Sequence, residues 1–129
     1  MNSPKIFISW GELVDKITIL EIKETELETP AAVANVKKDL QLLQDLYDEI
    51  EESFPELSEL KSYLRDINQK LWRIEDAIRE KEKKKDFGQE FIELARSVYQ
   101  TNDERARIKK NINMMLGSDL VEEKSYSEY

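Results

Sequence analysis

The sequence predicts an all-α protein, an elongated four-helix bundle with a long C-terminal helical hairpin. Three observations carry that expectation. First, Leu57, Leu60, Leu64, Ile67, Leu71, Ile74 and Ile78 recur at alternating intervals of three and four with no slip, the seam of a long helix that needs a helical partner. Second, charged residues make up 37% and apolar ones 40% of the 129 residues, with only 3 Gly and 3 Pro, the composition of long amphipathic helices. Third, Thr29-Pro30, Pro55 and Gly88 fall between apolar stripes, where chain breaks belong.

Taken in order, residues 5–8 (Lys-Ile-Phe-Ile) are too short to build a sheet. They predict an extended lead-in whose Phe7 or Ile8 staples onto the first helix. Ser9 and Glu12 form a capping box, so helix one starts there and runs to about Glu28. Its apolar residues Leu13, Val14, Ile17, Ile19, Leu20, Ile22 and Leu27 cover more than one face. A helix apolar on several sides is buried by several neighbours, which makes this the central helix and forces Asp15, Lys16, Glu21 and Lys23 into or beside the core. Thr29 and Pro30 open helix two, over about 31–52, with Val33, Val36, Leu40, Leu43, Tyr47 and Ile50 on one face and Leu46 alongside. Ser53 and Glu56 frame a second capping box, and the seam helix follows from about 55 to 85. Its lysine-rich end places positive charge at the negative pole of the helix dipole.

Asp86 is the expected cap of helix four, whose stripe comprises Phe87, Phe91, Leu94, Ala95, Val98 and Tyr99. A polar gap at Thr101–Arg105 follows before Ala106, Ile108, Ile112, Met115 and Leu116. Helical phase is kept across the gap, which favours one continuous helix ending at Gly117. Residues 1–117 thus form a single helical domain and 118–129 a mobile or partner-docked tail. At roughly 1.5 Å per residue the two last helices would each reach about 45 Å. The shorter first pair cannot cover them fully, so a homodimer with packed hairpins is expected.

The charge pattern bounds the function classes. The net charge of −8 argues against nucleic acid or an anionic membrane as partner. Residues 1–60 carry 5 basic against 14 acidic residues, and residues 61–117 carry 14 against 10. The split serves internal pairing, pairing between subunits, or a basic pocket for an anionic ligand. No Cys or His is present, which removes disulfides, thiolate or imidazole metal sites, and Ser-His or Cys-His nucleophiles. Catalysis would have to rely on Glu, Asp, Lys, Tyr or plain electrostatics. Carboxylate pairs such as Glu21/Glu24 and Glu90/Glu93 recur, but the one E-x-x-D, Glu12/Asp15, precedes them all. The metal pattern of helical nucleotide pyrophosphohydrolases is therefore not met, and no cofactor is expected. With no targeting or spanning segment, a cytoplasmic location is expected.

Three polar clusters lie on or beside the stripes. Trp72, Glu75, Asp76, Arg79 and Glu82 form one; its simplest reading is a solvated ion-pair ladder. Arg96, Tyr99, Asn102, Asp103, Arg105 and Lys109 form the second, where Asn102 stands at a position the stripe would fill with an apolar residue. A polar break of this kind fixes register or binds a ligand inside the bundle. The third is Asp15, Lys16, Glu21 and Lys23; a Lys16 facing the second cluster would complete an interior site suited to a carboxylate or phosphate. The candidate ligand-binding residues are therefore Lys16, Arg79, Arg96, Tyr99, Asn102, Asp103, Arg105 and Lys109, with no catalytic or metal-binding residue assigned.

Three passages carry a family resemblance: Ile8 to Lys23 (ISWGELVDKITILEIK), Asp86 to Lys109 (DFGQEFIELARSVYQTNDERARIK) and Glu122 to Tyr126 (EEKSY). The chain resembles a family of small uncharacterised proteins, a domain of unknown function met in bacteria and in phages of marine bacteria. The match spans most of the chain and is weakest around residues 29–60. The resemblance carries no activity, and it singles out the same Lys16, Arg96, Asn102, Asp103, Arg105 and Lys109. The expected function is a self-associating helical interaction or accessory protein with a possible protein partner. The alternative is a binder of, or enzyme acting on, an anionic metabolite through the Lys/Arg/Asn interior site.

Overall fold

The computed structural model describes residues 1–120 and 122–129. Four helices follow in order: α1 (Trp10–Glu26), α2 (Pro30–Ser53), α3 (Leu57–Lys83) and α4 (Gln89–Leu116). No strand occurs among the described residues, and none of their helices is long and apolar enough to cross a membrane.

Helix α1 is the hub, packing against α2, α3 and α4 alike. That is why its apolar residues cover several faces: Leu13, Val14, Ile17, Leu20 and Ile22 are all buried. Burying each such side chain stabilises the fold by about 1.5–3 kcal/mol before entropy is counted. Ser9 caps α1 as expected, its Oγ accepting from the Glu12 amide at 3.1 Å. Helix α2 lies on α1 through Val36 and Tyr47, with Leu40, Leu43 and Ile50 packed behind them. Its outer face leaves Leu42 and Leu46 exposed. The α3 seam turns inward, with Leu57, Leu64 and Ile74 buried and Leu60, Ile67, Leu71 and Ile78 half-buried. Helix α4 runs unbroken through the polar gap, and Gly117, in the left-handed region at φ 62°, ends it where a side chain would be strained.

Three local expectations are overturned. The lead-in does not staple: Phe7 is 95% exposed and Ile8 38%. The space beside the α1 N-terminus is taken instead by the C-terminal end of α4, whose Ser118 Oγ accepts from the Trp10 amide at 3.0 Å. Ser53 caps nothing, because α2 extends through it and the link to α3 is three residues long. In that tight turn the carbonyls of Phe54 and Pro55 take the amides of Leu57 and Ser58, so backbone groups rather than the Ser53 side chain serve the first amides of α3. Asp86 is not the cap of α4 either; Gly88 holds that position. Lys85 adopts φ 54° and the Asp86 amide closes back on the Lys81 carbonyl. This places the Asp86 carboxylate two residues early, where it accepts from the Gly88 amide at 3.3 Å.

The hairpin outruns α1. At about 1.5 Å per residue the 17-residue α1 spans about 25 Å and the 27- and 28-residue α3 and α4 about 40 Å. Beyond Ile74 in α3 and before Thr101 in α4, no residue is buried. The molecule is therefore a four-helix body with a two-helix arm.

Candidate functional site

Where α1 crosses the hairpin, the polar gap in α4 meets a polar gap in α1. Asp15, only 1% exposed, points from α1 into the bundle. Arg105 grips it with a forked pair of bonds, Nε to Oδ1 at 2.9 Å and Nη2 to Oδ2 at 2.5 Å. Such a bidentate guanidinium–carboxylate pair is both strong and directional. Asn68, buried on α3, donates to Asp15 Oδ1 at 2.9 Å and lies 2.9 Å from Thr18 Oγ1. Thr18 in turn donates to the Asp15 carbonyl at 2.8 Å. Three helices are thereby tied through one carboxylate.

One turn along α4, Lys109 is buried and sits 4.0 Å from Asp15 Oδ2. It donates to Glu12 at 2.7 Å and to Glu122 of the tail at 3.1 Å. Burial pulls the Lys109 pKa down, but the bonds to Glu12 and Glu122 overcome it and leave the pKa above its ordinary value. Arg105 is likewise raised, chiefly by its bonds to Asp15. Both cations stay charged because both are neutralised in place. Glu12 thus directs its carboxylate to Lys109 rather than back to the Ser9 amide, so only the Ser9 half of the expected capping box forms.

The helices come unusually close here. Gly11 donates its amide to Asn113 Oδ1 at 2.7 Å, and a Cβ on Gly11 would collide with the Lys109 carbonyl oxygen. Glycine in the first turn of α1 is therefore a packing requirement rather than a turn signal. The polar clamp and this backbone contact together set the rotation of α1 against α4.

Beside the clamp, a cleft of about 460 Å³ opens where the arm departs from α1. Ile19, Ile22, Leu71 and Trp72 floor it, and Asn68, Glu75, Asp76, Arg79, Asn102 and Arg105 rim it. Arg79 points along its own helix to Glu75 at 3.2 Å, well exposed, the ion-pair ladder of the simpler reading. Asn102 reaches Arg105 Nη1 at 3.5 Å, a marginal contact.

Of the sequence-derived candidates, Arg105 and Lys109 converge on Asp15, with Asn102 next to them. Lys16 is exposed on the outside of α1 and Arg96 is exposed on the arm, so neither reaches the interior. Asp15, one residue before Lys16, takes the inward position. Tyr99 and Asp103 face the opposite side of α4 and hold the tail: the Tyr99 and Tyr129 rings meet edge to face at 5.1 Å, and the Tyr129 hydroxyl donates to Asp103. Thr18, Asn68, Asn113 and Glu122 were not singled out by the pattern. Asn68 carried a weak signal, as a short polar residue directly after a seam position.

These features define a small all-α bundle protein whose interior charges are consumed in holding its helices together. The chain belongs to DUF6165, a family of unknown function whose model matches residues 4–129. No curated protein and no solved structure matches the chain.

Proposed function

We propose that this protein is a helical interaction module that self-associates through its projecting arm, acting as an accessory or scaffold protein. The observation that carries the reading is the arm itself: from Glu75 to Gln100 no residue is buried, yet Phe87 and Ile92 are 47–50% exposed and Ala77, Ile78, Phe91, Leu94 and Val98 half-exposed. A continuous apolar edge of that length is the mark of an interaction surface. The occupant is a second copy of the chain. Residues 70–96 hold eight basic and seven acidic residues, a mixed and nearly neutral surface that meets its own copy without like-charge repulsion. Helix α2, with two basic and six acidic residues, would repel its copy. A two-fold pairing of arms lets the same patch serve both partners.

The interior site supports this reading over an anionic-metabolite binder. The position between Arg105 and Lys109 where such an anion would sit is held by the Asp15 carboxylate. Charge pairing inside the fold also accounts for the acidic–basic split along the chain: Glu12, Asp15 and Glu21 of α1 meet Lys109, Arg105, Lys61 and Arg65.

Sedimentation velocity across a micromolar concentration series tests the proposal. A dimer is expected for the wild type and a monomer of unchanged helicity for Ile92→Glu combined with Phe91→Ser. A wild-type monomer throughout, or a dimer indifferent to these changes, refutes it.

A further inference from the structure

The arm carries an apolar socket at its base and an aromatic knob at its tip. The socket is the cleft of about 460 Å³ where the arm departs from α1, floored by Ile19, Ile22, Leu71 and Trp72. The knob is Phe87, in the turn between α3 and α4. It is 50% exposed, and its ring meets Phe91 edge to face at 5.2 Å. Both features leave apolar surface in water at opposite ends of the arm.

One face of α4 connects them. From Asn102 at the cleft, Val98, Ala95, Phe91 and Phe87 follow toward the tip at intervals of four, three, four and four, the spacing of one helix face. Asn102 and the first residue of α4, Gln89, are about 20 Å apart at roughly 1.5 Å per residue. In an antiparallel two-fold pairing of arms, a residue on one side of the axis meets the residue equally far beyond it on the other copy. The midpoint between Phe87 and Asn102 falls at Leu94 and Ala95. With the axis there, each Phe87 arrives at the other copy's cleft. Ala95, the smallest side chain of the stripe, then lies at the crossing point, where it lets the helices approach closely.

Charge favours this arrangement over one with the tips together. Lys81 is taken by Asp86 and Glu90, whereas Lys83, Lys84 and Lys85 are exposed and make no ion pair among the described residues. Tips placed side by side would set one lysine run against another. On the cleft rim Glu75 pairs with Arg79 and Arg105 with Asp15; among the described residues Asp76 is left without an ion pair, and it is exposed. The antiparallel pairing therefore brings each lysine run near a free carboxylate. An aromatic knob also suits this socket: Trp72 offers a ring to pack against, and the Arg105 guanidinium, fixed by Asp15 with its side chain 28% exposed, offers a cation to a ring face.

We propose that two copies pair with their arms antiparallel and that Phe87 of each inserts into the cleft at the base of the other's arm. The inference rests on the self-association proposed above and specifies its register.

The test places the photoreactive aromatic residue benzoylphenylalanine at position 87 and mixes this variant with isotope-labelled wild type, so that links between copies are told apart by mass. Links from position 87 to residues 19–22, 71–76 or 102–105 of the other copy are expected. Sedimentation of Phe87→Ala should show a dimer dissociation constant raised roughly tenfold or more, the scale of an aromatic anchor in a pocket. Leu42→Ala, on the exposed face of α2, should leave it unchanged. Circular dichroism checks that both variants keep their helicity; if Phe87→Ala does not, the cross-links decide alone. A dimer that links position 87 to the other copy's tip, or not to its cleft, overturns this register and leaves self-association standing. A dimer that a folded Phe87→Ala variant does not weaken overturns it as well. A wild-type chain monomeric at micromolar concentration overturns both.

Discussion

Replacing Asp15 by Asn probes the clamp with the least change in shape. The carboxylate accepts three N–H bonds, two from Arg105 and one from Asn68, and both its oxygens are used. An amide turns one oxygen into a donor, so in either orientation an N–H faces an N–H. The ion pair is lost at a position 1% exposed. Breaking a buried pair by removing one partner costs about 3–5 kcal/mol. The Arg105 side chain is 28% exposed and its guanidinium can turn toward the cleft, which lowers the expected cost to about 2–4 kcal/mol. Against a total stability of about 5–15 kcal/mol, that is a large fraction, and for a chain of this size it corresponds to a melting point lower by roughly 6–16 °C. Urea and thermal unfolding followed by circular dichroism measure it. A cycle with Arg105→Gln isolates the pair, and the double variant should cost less than the sum of the singles by about 1.5 kcal/mol or more. A loss below about 0.5 kcal/mol for Asp15→Asn, or strict additivity, would refute the view that this clamp holds the helices together.

Two further outcomes follow from the same geometry. In Gly11→Ala the new methyl meets the Lys109 carbonyl and lies 2.9 Å from Asn113 Oδ1. A helix-propensity gain of up to about 1 kcal/mol is outweighed by overpacking of about 1–3 kcal/mol and a lost hydrogen bond of about 1 kcal/mol; the expected net loss in urea melts contrasts with the gain an unconstrained helical glycine would show. The tail contact is acid-sensitive. The Lys109 hydrogen bond and charge hold Glu122 below its ordinary pKa, so its contribution is complete above the usual glutamate range and disappears as pH falls through the depressed value. Amide shifts of residues 122–129 should therefore move toward free-chain values in acid while the helices persist; an acid-insensitive tail, or an unchanged tail in Glu122→Gln, would contradict this.

Much of this architecture is legible along the chain because helical periodicity is a local property. The alternating intervals from Leu57 to Ile78 place a seam on one face whatever lies opposite. The unbroken phase across Thr101–Arg105 likewise carries α4 through its polar gap. The excess of apolar positions on α1 marks it as central, and the presence of Asp15 among them marks a buried charge. Caps were less legible, because Ser53 and Asp86 each sit in a link whose length and backbone closure decide whether a side chain meets a free amide.

The sequence by itself determined the helices, their order, the central place of α1 and the mismatch in length that leaves an arm. It also marked Arg105 and Lys109 as cations lying beside an apolar stripe. Only the tertiary structure decided that Asp15 rather than Lys16 turns inward and that Asn68 joins the clamp from α3. Successive residues on a helix differ by about 100° in direction. The rotation of each helix about its own axis is set by contacts such as Gly11 on Lys109, made between residues far apart in the chain.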